Sequence, residues 1–77
     1  MNIHFTYNGD LANLIVSVTH PDDLSEVVNT LKFLEKLLCR KLSYSMDYDY
    51  NEVHLIVDDY YEFITFRKKI LDHCFIA

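Results

Sequence analysis

Apolar and polar residues alternate with period two in four short stretches of this chain, and apolar residues recur at helical spacing in two longer ones. The first stretch, residues 2–7, sets Ile3, Phe5 and Tyr7 against Asn2, His4 and Thr6, the pattern of a strand with one buried face. Asn8-Gly9 follows, a dipeptide suited to a two-residue hairpin turn because both central residues of that turn need positive φ. Such a turn pairs Tyr7 with Asp10, Phe5 with Ala12 and Ile3 with Leu14. Ile3, Phe5, Tyr7, Ala12, Leu14, Val16 and Val18 then share one face. His4, Thr6, Asn13, Ser17 and Thr19 share the other, with Leu11 and Ile15 as apolar exceptions.

Thr19-His20-Pro21-Asp22-Asp23 marks a helix start, with Thr19 or His20 as cap, Pro at the first helical position and acids at the positive end of the dipole. Leu24, Val27, Val28, Leu31, Leu34 and Leu38 form its core stripe to about residue 40. Phe33 and Leu37 fall on the flank of that stripe, one turn apart, as a candidate dimer contact. A third strand follows, alternating Leu42, Tyr44, Met46, Tyr48 and Tyr50 with Ser43, Ser45, Asp47 and Asp49. After a turn around Asp49-Tyr50-Asn51, the fourth strand spans Glu52 to Asp58, with Val53, Leu55 and Val57 facing inward. Asp59 and Glu62 have the spacing of a capping box. The second helix then presents Tyr60, Phe63, Ile64, Ile70, Leu71 and Cys74 to the core, with Phe66 on its edge.

The order is therefore ββαββα, an α+β domain in which a four-stranded antiparallel sheet packs both helices on one face and leaves the other open. One domain accounts for residues 1–77, with 1–41 and 42–77 as a candidate pseudo-repeat: laying 1–16 over 42–57 matches Phe5 to Met46 and Leu14 to Leu55.

Composition narrows what such a domain can do. The chain has 77 residues, 51% hydrophobic and 14% aromatic, with one Gly and one Pro, so it is expected to fold while leaving little core for an enclosed cavity. There is no signal-peptide pattern and no apolar run of membrane-spanning length, so a cytoplasmic protein is expected, in the host cytoplasm if it is viral. Cys39 and Cys74 lack metal-binding spacing and are read as reduced thiols.

The net charge of −5 argues against direct nucleic-acid binding, which rests on many Lys and Arg. All seven basic residues lie in residues 32–41 and 67–69, and residues 42–66 hold none. The four histidines, His4, His20, His54 and His73, show no i, i+4 pair and no nearby cysteine. No metal, cofactor, nucleophile elbow or phosphate loop is read from the sequence, and a non-enzymatic protein is expected.

The remaining candidate site is the wet side of the second hairpin, Asp47, Asp49, Glu52 and Asp58, with Tyr50 as an amphipathic anchor. The first hairpin carries Asn, Thr and Ser where the second carries Asp and Glu. Asp is a poor strand former and like charges on neighbouring strands repel, so the substitution is not explained by the fold. In size and charge the chain is similar to short acidic proteins of phages and mobile elements that inhibit host nucleases or CRISPR effectors partly by imitating nucleic acid, and to nuclease immunity proteins. That likeness implies a small binding protein that blocks a basic, nucleic-acid-binding surface of a larger protein. The alternative is a homodimeric structural or regulatory module without such mimicry, joined through Phe33 and Leu37 or through Leu11, Ile15 and Ile56.

Overall fold

The four alternating stretches pair into a single antiparallel sheet in the computed structural model, which describes residues 3–74. The elements are β1 (Ile3–Asn8), β2 (Asn13–Val18), α1 (Pro21–Leu38), β3 (Tyr44–Asp47), β4 (Glu52–Ile56) and α2 (Tyr60–His73), and the strands lie in the order β1-β2-β4-β3. The α+β architecture is thus the one the periodicities predict. The molecule measures 28 by 27 by 17 Å, the thin dimension holding one sheet and one layer of helices.

Both hairpins close with a four-residue loop. In the first, Tyr7 pairs with Leu14 and Phe5 with Val16, so the two-residue turn expected at Asn8-Gly9 does not form. The cause is Asn8 itself: its Oδ1 accepts from the backbone N–H of Asp10 and Leu11 at 3.1 and 3.3 Å, and Ala12 rather than Gly9 takes the positive φ, 51°. The pairing moves by an even number of residues, so the strand residues keep their faces, while Leu11 and Ala12 leave the strand for the turn. The second hairpin repeats the device. Asp47 Oδ1 accepts from Asp49 and Tyr50 at 3.1 and 3.4 Å, and Asn51 has φ 52°.

Asn8 and Asp47 are 39 residues apart, and that offset also relates the positive-φ residues Ala12 and Asn51, the helix caps His20 and Asp59, and the buried Leu24 and Phe63. The apolar matches read from the sequence suggest an offset two residues longer, which preserves the faces but misplaces the turns. Under the 39-residue offset, the β2–β4 ladder maps onto itself, with Leu14 opposite Leu55 becoming Val53 opposite Val16. Val18 N–H to Asn51 O (3.0 Å) likewise becomes Val57 N–H to Ala12 O (2.8 Å). The two ββα halves are therefore related by an approximate two-fold axis through the central Ile15–His54 pair.

Leu14, Val16, Val18, Val53, Leu55 and Val57 form the sheet side of the core, and Leu24, Val27, Leu31 and Leu34 cover them from α1. On α2 the buried set is Phe63, Phe66 and Ile70, and Cys74, which caps the helix, is buried with them. Phe66 is thus central where the sequence reading puts it on the edge, whereas Tyr60 and Leu71 are about half exposed. Steps of three and four residues from Phe63 carry the stripe through Phe66 and Ile70 and leave Leu71 one position around the helix. Tyr60 instead packs edge-on against Tyr7, with ring centroids 5.4 Å apart. Thr30, the buried polar residue of α1, donates to Glu26 O at 2.9 Å and lies 3.0 Å from Cys74 Sγ. Burial pushes the Cys74 thiol pKa up, keeping it neutral, while Cys39 is an exposed free thiol.

The capping box of α2 is displaced by one residue. Asp59 Oδ1 accepts from Glu62 N–H at 2.9 Å as expected, but Glu62 returns its carboxylate to Asp58 N–H at 3.0 Å. Glu62 also holds Arg40 through both oxygens at 3.2 Å, tying the α1–β3 connection to the start of α2. The hydrogen bond to Glu62, and after it the Glu62 charge, raise the Arg40 guanidinium pKa.

Candidate functional site

The hairpin geometry decides which acidic side chains meet. Asp47, the last residue of β3, sits directly opposite Glu52, the first of β4, and the four-residue loop between them carries Tyr48, Asp49 and Tyr50. The expectation that Tyr48 continues the buried face of β3 fails, because it lies in the loop, 69% exposed, while Tyr50, expected at the turn, is 73% exposed there. Met46 is also partly exposed, since β3 is an edge strand that α1 covers incompletely. A groove of about 220 Å³ between them is lined by Pro21, Leu24, Val28 and Met46. At the equivalent place in the other half, Tyr60 and Phe63 pack against Tyr7 and fill the space.

Asp47, Asp49, Tyr50 and Glu52 therefore gather at one end of the sheet. Asp58 does not join them: it follows the opposite end of β4, six positions beyond Glu52 and on the order of 20 Å away along the strand. There its surroundings are the Arg40–Glu62 pair and the start of α2. The exposed Ile56 lies between Glu52 and Asp58 on the open face.

His54, set aside with the other histidines in the sequence reading, joins this end of the sheet. It stands two positions after Glu52 on the same side of β4, opposite Ser45 of β3 and Ile15 of β2. Its Nε2 lies 3.0 Å from Glu52 Oε1, and Ser17 of β2 donates to the other oxygen of Glu52 at 3.3 Å. One donor atom each from Asp47, Glu52 and His54 lie within 4.8 Å of one another. Helical spacing, the signal sought among the histidines, could not have found this group. The applicable signal is a period-two pair, Glu52 and His54, facing an acid across a hairpin.

A shallow depression of about 450 Å³ lies beside these residues, bordered by Ser45, Met46, Asp47, Tyr48, Asp49 and His54. It is open to solvent, which suits contact with a protein surface more than enclosure of a small substrate. The described strands carry no Lys or Arg. Lys32 and Lys36 lie on α1, Arg67, Lys68 and Lys69 on α2, and Arg40 and Lys41 in the connection after α1. The Lys and Arg residues thus lie off the sheet, on or beside helices of mixed charge that also carry Asp22, Asp23, Glu26, Glu35, Glu62 and Asp72, whereas the hairpin end of the sheet is acidic without them.

Phe33 and Leu37, the candidate dimer contact, are 48% and 55% exposed on α1. Phe33 rests against His73 at the end of α2, with ring centroids 5.2 Å apart. Among the described residues no helix is long and apolar enough to cross a membrane. No family model, curated protein or solved structure matches the chain.

Proposed function

We propose that this chain is a small acidic, non-enzymatic binding protein that blocks a basic, nucleic-acid-binding surface of a larger protein, in the manner of phage-type inhibitors of defence nucleases or CRISPR effectors, or of nuclease immunity proteins. The observation that supports this reading is the gathering of Asp47, Asp49 and Glu52, flanked by exposed Tyr48 and Tyr50, on a sheet that bears no Lys or Arg. Such an end attracts a basic surface at long range, and the tyrosines add apolar contact area with little conformational entropy to lose. The partner belongs to the same compartment, taken here as the host cytoplasm.

The test uses a variant that changes charge without dismantling the turn. Asp47→Asn keeps the carbonyl oxygen that Asn8 supplies in the first hairpin, Asp49→Lys reverses an exposed charge and Glu52→Lys a half-buried one. Wild type immobilised in a lysate of the native host is expected to retain a basic protein at low salt and release it at high salt, and the triple variant to retain little of it. Equal retention by the variant overturns the reading.

A homodimeric module is the second reading, supported by the exposure of Phe33 and Leu37 one turn apart. Sedimentation equilibrium is expected to show association that Phe33→Ser and Leu37→Ser abolish. A wild-type monomer at every concentration removes this reading and leaves the first untouched.

A further inference from the structure

We propose that Asp47, Glu52 and His54 form a binding site for a divalent first-row transition-metal ion, with zinc the best fit. The site uses two residues of the acidic end, but it does not depend on that end being a docking surface. Three features of the structure converge on it.

The first is geometry. The donor atoms span at most 4.8 Å, and His54 Nε2 and Glu52 Oε1 are 3.0 Å apart. Two ligands bonded to one zinc at about 2.0–2.2 Å in tetrahedral array lie roughly 3.3 Å from each other, so side-chain adjustment alone closes the set. Strand register fixes the three Cα positions, because Asp47 and Glu52 are a cross-strand pair and His54 is the next residue of β4 on the same face. One imidazole nitrogen and two carboxylates favour a transition metal over calcium or magnesium, which prefer oxygen alone. Three protein ligands leave the remaining coordination positions to water.

The second is support from outside the group. Ser17, on the neighbouring strand, donates to Glu52 Oε2 and turns Oε1 toward His54. Asp47 Oδ1 accepts the two loop N–H groups, which orients the carboxylate and leaves Oδ2 free of the turn. Metal-ligating carboxylates are typically held by such bonds.

The third is an internal control. The 39-residue offset places Asn8, Asn13 and Ile15 at the backbone positions of Asp47, Glu52 and His54. The first hairpin thus builds the same turn and the same ladder with no ligand at any of the three places, and Asn8 performs the turn contacts of Asp47. Two opposed carboxylates and a histidine are therefore not demanded by the scaffold, and their mutual repulsion is relieved by a dication.

Isothermal titration of the full chain with zinc chloride is expected to give saturable binding of one ion per chain, with a rise in thermal midpoint. His54→Ala and Glu52→Gln are each expected to weaken it by at least about tenfold, the lower end of what loss of even an outer partner costs a metal site. His4→Ala, on the same open face but on β1, is expected to change nothing. Asp47→Asn should weaken binding while the circular dichroism spectrum stays that of wild type. The proposal is overturned if binding does not saturate, if His54→Ala leaves the affinity unchanged, or if magnesium binds as tightly as zinc, which would mark a diffuse counterion layer.

Discussion

Truncation of Leu55 to alanine is expected to lower stability by about 2–5 kcal/mol, a large share of what a domain of this size has. Leu55 is fully buried on a central strand, paired with Leu14 of β2 on one side and Tyr44 of β3 on the other, and α1 packs against its strand. Its removal opens a cavity where the two halves meet. Neighbours on rigid strands cannot collapse into that space without losing ladder hydrogen bonds. A small domain has about 5–15 kcal/mol of stability at most, so the loss should lower the thermal midpoint by on the order of 10 °C or more. Ile56→Ala, one residue along but 58% exposed, is expected to stay within about 0.5 kcal/mol. Urea denaturation monitored by circular dichroism measures both. Equal losses at the two positions would contradict the face assignment of β4.

That assignment was legible in the sequence because it depends only on parity. Val53, Leu55 and Val57 alternate with Glu52, His54 and Ile56 whatever the turn, and the same holds for Leu14, Val16 and Val18. Turn length was not legible in the same way. Asn8-Gly9 carries a strong hairpin signal, yet the Asn8 side chain is better used accepting two loop N–H groups, and a four-residue loop results. A period of 3.6 found α2 but left Phe66 ambiguous, since a short helix has several nearly equivalent apolar arcs until a sheet selects one.

The candidate site divides along the same line. Asp47, Asp49, Tyr50 and Glu52 are close in sequence and joined by one turn, so their gathering follows from the hairpin alone. Asp58 shares their parity but lies past the far end of β4, because distance along an extended strand grows by about 3.3 Å per residue. His54 needed the register of three strands before its neighbours could be named. Cross-strand identity is non-local information, which periodicity does not contain.

The scaffold is locally suboptimal at three places, two of them marked by the two-fold relation between the halves, and their repair should raise stability by about 2–3 kcal/mol. Ala12 occupies the left-handed region that Asn51 occupies in the second hairpin, at a cost of roughly 1–2 kcal/mol for a residue with a Cβ and no side-chain hydrogen bond to offset it. Ala12→Gly removes that strain. His20 caps α1 with extended backbone angles but forms no side-chain cap bond, whereas Asp59 in the same role accepts from Glu62 N–H. His20→Ser supplies the missing acceptor, worth about 0.5–1 kcal/mol. Cys39 ends α1 at φ 51°, ψ 43°, with its N–H bonded back to Lys36 O, a position for which glycine is the favoured residue. The three sites share no hydrogen-bond partner, so their effects should nearly add and raise the thermal midpoint by about 10 °C. None touches Asp47, Glu52 or His54, so the stabilised chain should bind zinc as wild type does. Differential scanning calorimetry of the three single variants and their combination measures the gain. A loss of stability on Ala12→Gly would mean that the first hairpin does not turn through Ala12, and the equivalence of the two halves would fail with it.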